Sequence, residues 1–184
     1  MMNIVGIAGS LRKGSYNASL LLAAKKEVPE GTELEIASIR GIPLYDGDVE
    51  TETGIPDLVT DLKNRIAASA GLLLVTPEYN NSIPGVFKNA IDWLTRPSAD
   101  IPRVFGNRPV ALMGATPGRG GTLLSQAAWL PVLRTLGTRP WFGPRLLVSG
   151  AHRVFDESGQ LVDEQVRSQL RSFMTGFADF IGKR

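Results

Sequence analysis

Apolar residues along the chain follow two rhythms that take turns. Asn3–Gly9, NIVGIAG, is a continuous apolar run with β-branched members, as in a strand buried on both faces. Asn17–Val28 follows with apolar positions at helical spacing and Asn17 in the capping position. Glu33–Ile39, ELEIASI, alternates as a second strand. Pro56–Ser69 reads as a helix with proline in its first turn, and Gly71–Thr76, GLLLVT, as a third buried strand. Val86–Leu94 is a helix with an apolar stripe of Val86, Phe87, Ala90, Ile91 and Leu94. Arg108–Gly114 predicts a fourth strand, Gly121–Leu136 a helix, Leu146–Ser149 a fifth strand and Asp163–Ile181 a closing helix.

Five strands alternating with five helices imply an α/β fold, a parallel sheet with helices on both faces. The sequence shows no internal repeat, low-complexity tract or linker, so residues 1–184 are expected to form one domain. The segments 40–55 and 95–107 are the longest irregular connections, and 150–162 reads as a short excursion before the last helix.

Composition narrows the chemistry. A chain of 184 residues with 43% hydrophobic and 21% charged residues has the makings of one soluble core. No apolar run approaches the ~18 residues of a membrane span, and the opening MMNIVGIAGS lacks a basic leader, so no membrane and no signal peptide are expected. Cysteine is absent and His152 is the single histidine, which removes disulfides, thiol chemistry, most zinc sites and a Ser-His-Asp triad. The expected location is the cytoplasm. The net charge of +2 is scattered rather than blocked, which argues against nucleic acid and for small anionic ligands.

In an open parallel sheet a ligand lies at the carboxyl ends of the strands, where the winding reverses. Three connections at that edge are chemically unusual. Gly9–Asn17, GSLRKGSYN, brings Ser10, Arg12, Lys13, Ser15 and Asn17 to a helix N-terminus, where free N–H groups and the helix dipole suit a phosphate. A plain Gly/Ser turn with a helix cap is the bland alternative. The phosphate motif G-x-x-x-x-G-K-[ST] is broken because Ser-Tyr follows Gly14, and G-x-G-x-x-G is absent. A mononucleotide held mainly by hydroxyls and amides survives, and flavin mononucleotide (FMN) meets that description. The second connection, TPEYNNSIPG, is stiffened by Pro77 and Pro84 and offers the flat face of Tyr79 with Asn80 and Asn81 beside it. It reads equally as an Asx-rich turn. The third, Gly114–Thr122, GATPGRGGT, has four glycines in nine positions, which lets backbone approach a ligand closely.

GSLRKGSYN, TPEYNNSIPGVFKNAIDWL and GATPGRGG together resemble the NADPH-dependent FMN reductase family, which includes chromate and quinone reductases. The resemblance spans the first strand to the fourth helix. It implies a flavodoxin-like three-layer sandwich with a sheet of order 2-1-3-4-5, and FMN with NADPH or NADH as co-substrate. It implies the phosphate on Ser10, Arg12, Ser15 and Asn17, with Tyr16 adjoining. The flavin ring is then expected against Pro77, Glu78, Tyr79 and Asn80, with Ser82, Ala115, Thr116 and Gly118 completing the site. Hydride would pass from NADPH to flavin N5 and on to a quinone, chromate, azo or similar acceptor by a ping-pong mechanism, with no catalytic side chain and no metal. The resemblance also implies a homodimer or homotetramer, for which Trp93, off its helix's apolar stripe, and the 95–107 segment are the candidate contacts. Asn81 stands where relatives often carry an aromatic, Ala115-Thr116 where serine is frequent, and Phe87 where a smaller residue is usual. The competing readings are a flavodoxin-like electron carrier, which would be expected to be acidic, and a flavin-binding sensor without turnover.

Overall fold

A computed structural model of the chain describes residues 1–183. Strand β1 (Met2–Ala8) leads to helix α1 (Tyr16–Lys26) and β2 (Thr32–Ala37). Helices α2 (Gly47–Thr53) and α3 (Asp57–Ala68) precede β3 (Gly71–Val75), and α4 (Gly85–Leu94) and the short α5 (Ile101–Val104) precede β4 (Pro109–Ala115). Helix α6 (Leu123–Thr135), two short strands β5 (Arg139–Pro140) and β6 (Leu146–Val148), then α7 (Ala151–Val154) and α8 (Glu164–Gly182) follow. The sheet is parallel with order β2-β1-β3-β4-β5, and β6 also pairs with β4. This is the flavodoxin-like order that the family resemblance implies.

The central strands are apolar at every position but Asn3 because each feeds two cores. Ile4, Leu73, Val75, Ala111 and Met113 face α1 and α8. Val5, Ile7, Leu72, Leu74 and Val110 face α3, α4 and α6. Side chains thus alternate between faces with the period of two that a pleated strand imposes. In a strand covered on both sides, both sets are buried.

The structure departs from the expected elements in several places. The last position of the sheet holds two strands rather than one at 146–149, because Phe142–Arg145, FGPR, leaves the ladder between them. The ladder continues through Trp141, whose N–H donates to the Val110 carbonyl at 2.8 Å, and Pro144 in the stretch that follows has no N–H to offer. The 40–55 segment is not wholly irregular: Asp46 accepts from the Asp48 N–H at 2.9 Å and starts α2. The 95–107 segment likewise contains a 3-10 turn and α5. Helix α1 is capped by Ser15, whose Oγ accepts from the Ala18 N–H at 3.4 Å, and not by Asn17. Val86 stays exposed, whereas Phe87, Ala90, Ile91 and Leu94 are buried as the stripe requires.

Trp93 is the largest correction. It is fully buried, its indole N–H donates to the Pro43 carbonyl at 2.9 Å, and the Tyr45 ring meets it edge-on at 5.0 Å. The 40–55 segment folds back over α4 and covers a position that helical periodicity alone places at the surface. The same region carries a buried cation. Lys63 Nζ donates to the Arg96 carbonyl at 2.6 Å and to Asp100 Oδ2 at 2.7 Å, tying α3 to the chain after α4. Trp129 is a core residue, and Trp141 packs edge-on against Phe173.

Candidate active site

The three unusual connections emerge side by side from the carboxyl ends of β1, β3 and β4. After β1, Gly9 continues the ladder by donating to the Val75 carbonyl at 2.9 Å. A Cβ on Gly9 would run into the Phe87 ring, so glycine here is the counterpart of Phe87, which is buried beneath the loop against Trp129. Phe87 therefore serves the core. With the Ala18 N–H satisfied by Ser15, the N–H groups of Tyr16 and Asn17 remain without an intrahelical acceptor. The Arg12 guanidinium lies 5.7 Å above the Tyr16 ring, and Tyr16 stacks on Phe155 at 6.0 Å. Arg40, at the end of the chain leaving β2, donates to the Leu11 carbonyl and braces this loop from outside.

After β3, Thr76 is completely buried. Its hydroxyl lies 2.8 Å from Ser125 Oγ and accepts the Trp129 indole N–H at 3.0 Å. Glu78 turns to α6, where its Oε2 accepts from the N–H groups of Leu124 at 2.8 Å and Ser125 at 3.0 Å. It caps a helix that has no side-chain cap of its own at Thr122. Tyr79 and Ser82 form a reciprocal backbone pair around Asn80 and Asn81, both in the left-handed region at φ 50° and 61°. Two successive positive φ values define the tight hairpin turn in which asparagine and glycine are favoured. This accounts for the two asparagines.

After β4, Ala115 is held by Asn17, whose Nδ2 donates to the Ala115 carbonyl at 2.8 Å while its Oδ1 accepts the Ala115 N–H at 2.9 Å. Gly114 is packed so closely on Thr76 and Thr122 that no side chain fits. Thr116 bridges to β6 and α7 through Val148 O and the Ala151 N–H, and its Oγ1 accepts the Gly118 N–H at 3.3 Å.

These loops enclose a cleft of about 510 Å³, lined by Ser10, Arg12, Ser15, Tyr16, Asn17, Pro77, Glu78, Tyr79, Ala115, Thr116 and Pro117. Ten of the thirteen residues singled out in the sequence therefore meet in one cleft, while Asn80, Ser82 and Gly118 stand behind the turns that shape it. Ser10 Oγ and Tyr79 Oη, 3.2 Å apart, close one wall. Pro117 was missed because nothing in its sequence context sets it apart from other loop prolines. The Thr76–Ser125–Trp129 cluster was missed because its members lie 49 and 53 residues apart. Among the lining residues Arg12 is the only cation, and the Glu78 carboxylate is engaged by α6. Among the described residues no group of three His, Cys, Asp or Glu side chains is placed to hold a metal ion.

The order of the sheet and the position of the cleft define a flavodoxin-like protein with a mononucleotide-type site at the β1/β3 switch point. The comparisons with known proteins then narrow the class. The family model described as NADPH-dependent FMN reductase matches residues 2–153, and the chain belongs to that family. An NAD(P)H-dependent FMN reductase of Pseudomonas aeruginosa is 41% identical over 170 residues, covering 92% of this chain and 90% of that protein. A 2-hydroxy-1,4-benzoquinone reductase of a Burkholderia species is 34% identical, covering 100% and 98%. In structure, FerB of Paracoccus denitrificans, a flavoenzyme NAD(P)H:(acceptor) oxidoreductase, superposes with a TM-score of 0.88 at 33% identity, covering 100% of this chain and 98% of that one. The class is enzymatic, with FMN as cofactor and NAD(P)H as co-substrate.

The donor set fits that cofactor. Hydroxyls of Ser10 and Ser15, the N–H groups at the start of α1 and one guanidinium suit a phosphate monoester. Pro77 and Tyr79 supply flat apolar surface for a ring.

Proposed function

We propose that this protein oxidises NADPH or NADH and reduces small quinones, using one cleft for both substrates in turn. The observation that carries this reading is the meeting of the three loops around a single cleft, pinned together by Asn17–Ala115 and Ser10–Tyr79. FMN, when bound, supplies the hydride-transfer chemistry. The chain's own residues bind and orient. Ser10, Ser15, Arg12 and the first N–H groups of α1 hold the phosphate. Asn17 acts chiefly by fixing Ala115, since its carbonyl oxygen and one amide hydrogen are engaged there. Pro77, Tyr79 and Thr116 wall the ring and exclude water, and the hairpin at Asn80-Asn81 keeps that wall stiff. No side chain is assigned a proton-transfer role.

Quinones lead the acceptor class because the relatives that span this chain are named for them. Chromate and azo compounds form a secondary group that the same open cleft admits. One cleft serving donor and acceptor in turn gives ping-pong kinetics. Initial rates measured over a grid of NADPH and benzoquinone concentrations should give parallel double-reciprocal lines, and lines that intersect would overturn the shared cleft. A carrier is disfavoured by the net charge of +2, since docking carriers are strongly acidic.

The reading includes a homodimer or homotetramer in the cytoplasm. Buried Trp93 cannot form the contact, but the segment above it presents Leu44, Tyr45 and Val49 at the surface, with Leu44 81% exposed. Leu44→Asp should shift the sedimentation coefficient toward the monomer, and an unchanged value would remove this face from the assembly.

A further inference from the structure

The interruption of the edge strand leaves a second cavity, away from the flavin cleft. Where Phe142–Arg145 swings out between β5 and β6, a space of about 210 Å³ opens between α6, β4 and α8. Its walls are apolar and aromatic: Leu112, Leu130, Trp141, Phe142 and Phe173. An apolar cavity of about 150 Å³ suffices for benzene, so this one has room for a substituted or fused ring.

One polar side chain in the wall is built in rather than incidental. Gln126 retains 3% of its accessible surface. Its Nε2 donates to Thr122 Oγ1 at 3.1 Å and to the Leu146 carbonyl at 3.2 Å. A carbonyl only accepts, so the orientation of the amide is set, and both its hydrogens are spoken for. The Oε1 takes no hydrogen bond from the described residues, yet it is not among the side-chain atoms sealed from solvent. It is therefore an oriented acceptor at the edge of an apolar slot. At the mouth stands Arg145, exposed and without an ion pair or hydrogen bond to the described residues.

We propose that this cavity is a second ligand site, for a hydroxylated aromatic ring whose O–H donates to Gln126 Oε1 and whose anionic substituent lies at Arg145. A quinone without a hydroxyl substituent has only acceptors to offer Gln126 and is disfavoured; a hydroxyarene donates. The site is independent of the flavin assignment, because it shares no lining residue with that cleft.

The test is isothermal titration of the FMN-loaded protein with 6-hydroxy-2-naphthoate and with 2-naphthoate, which differ only in the hydroxyl. The hydroxylated probe is expected to bind at least tenfold more tightly. Gln126→Leu should bring its affinity down to that of 2-naphthoate. Arg145→Ala should weaken both probes alike, by a factor that shrinks with added salt. Ala127→Phe, a change on the exposed rim that fills the slot, should abolish binding of both while FMN content stays unchanged. Because Gln126→Leu also removes two internal bonds, the rim variant and the ligand pair keep the test decisive if that variant folds poorly. Equal affinity for the two probes, or binding that survives Ala127→Phe, would overturn the site. So would finding that Ala127→Phe alters only the sedimentation coefficient, which would make the slot a contact between copies of the chain.

Discussion

The side-chain amide of Asn17 and the backbone of Ala115 exchange two hydrogen bonds, of 2.8 and 2.9 Å, across 98 residues of sequence. This pair joins the first turn of α1 to the end of β4, so the loop after β1 and the glycine-rich loop keep one spacing. Asn17→Ala leaves two buried backbone groups unpaired, a loss of about 2–4 kcal/mol in total. Chemical denaturation should register that loss, and FMN affinity should fall with it although the Ser10 and Ser15 hydroxyls proposed to hold the phosphate remain. Undiminished FMN affinity would show that the spacing does not matter to the cofactor.

Glu78 is a helix cap supplied from another loop, bonded to the Leu124 and Ser125 N–H groups. Glu78→Ala should cost about 1 kcal/mol, the usual worth of a cap, and Glu78→Gln less, since its carbonyl oxygen still accepts. Thermal melts of the two variants check the order. Equal losses would show that the charge at the helix terminus, rather than the hydrogen bonds, is what stabilises.

Asn81 sits at φ 61° as the second central residue of its turn. Asn81→Gly should be neutral or mildly stabilising, and Asn81→Val should lose about 1–2 kcal/mol, the strain of a side chain in the left-handed region. The same pair measured for FMN retention separates a turn-forming role from a ligand contact. If Asn81→Gly lost flavin while keeping its melting temperature, the asparagine side chain would have to touch the cofactor.

Much of this arrangement is legible in the sequence. The runs 4–9 and 71–75 are apolar throughout because both faces of those strands are covered, and the loops stand out because their polar residues follow such runs directly. What periodicity cannot convey is which distant segment covers an element. Trp93 lies off the apolar stripe of α4, and only the return of Pro43 and Tyr45 buries it. Likewise β5 is two residues long and leaves no rhythm to detect. Asn17 looked like a cap because asparagine before a helical run is usually one, and its partner at Ala115 is remote in the chain.

Four carboxylates are held below their ordinary values: Asp100 by Lys63, Glu35 by Asn3 and Arg65, Glu50 by Arg96 and Tyr45, and Asp156 by Ser158 and Gln160. A folded-state value below the unfolded one contributes stability that is fully present above the unfolded value, about 4 for these groups. That contribution is lost as the pH falls through the lower folded values. These groups should therefore leave the melting temperature level between neutrality and about pH 5 and lower it steeply below about pH 4. Asp100→Asn should lower the melting temperature at pH 7, by leaving buried Lys63 without its carboxylate, and flatten the acid slope. An acid slope identical to that of the parent protein would show that the Lys63–Asp100 pair does not contribute to the acid sensitivity.

On the proposed function, the cleft at β1, β3 and β4 holds a flavin that NADPH reduces. The visible spectrum of the FMN-reconstituted protein, recorded anaerobically before and after NADPH and again after benzoquinone, tests it most directly. The flavin bands should bleach with NADPH and return with the quinone. Bands that persist with NADPH would contradict the reductase reading, and failure to retain FMN would contradict the assignment of the cleft itself.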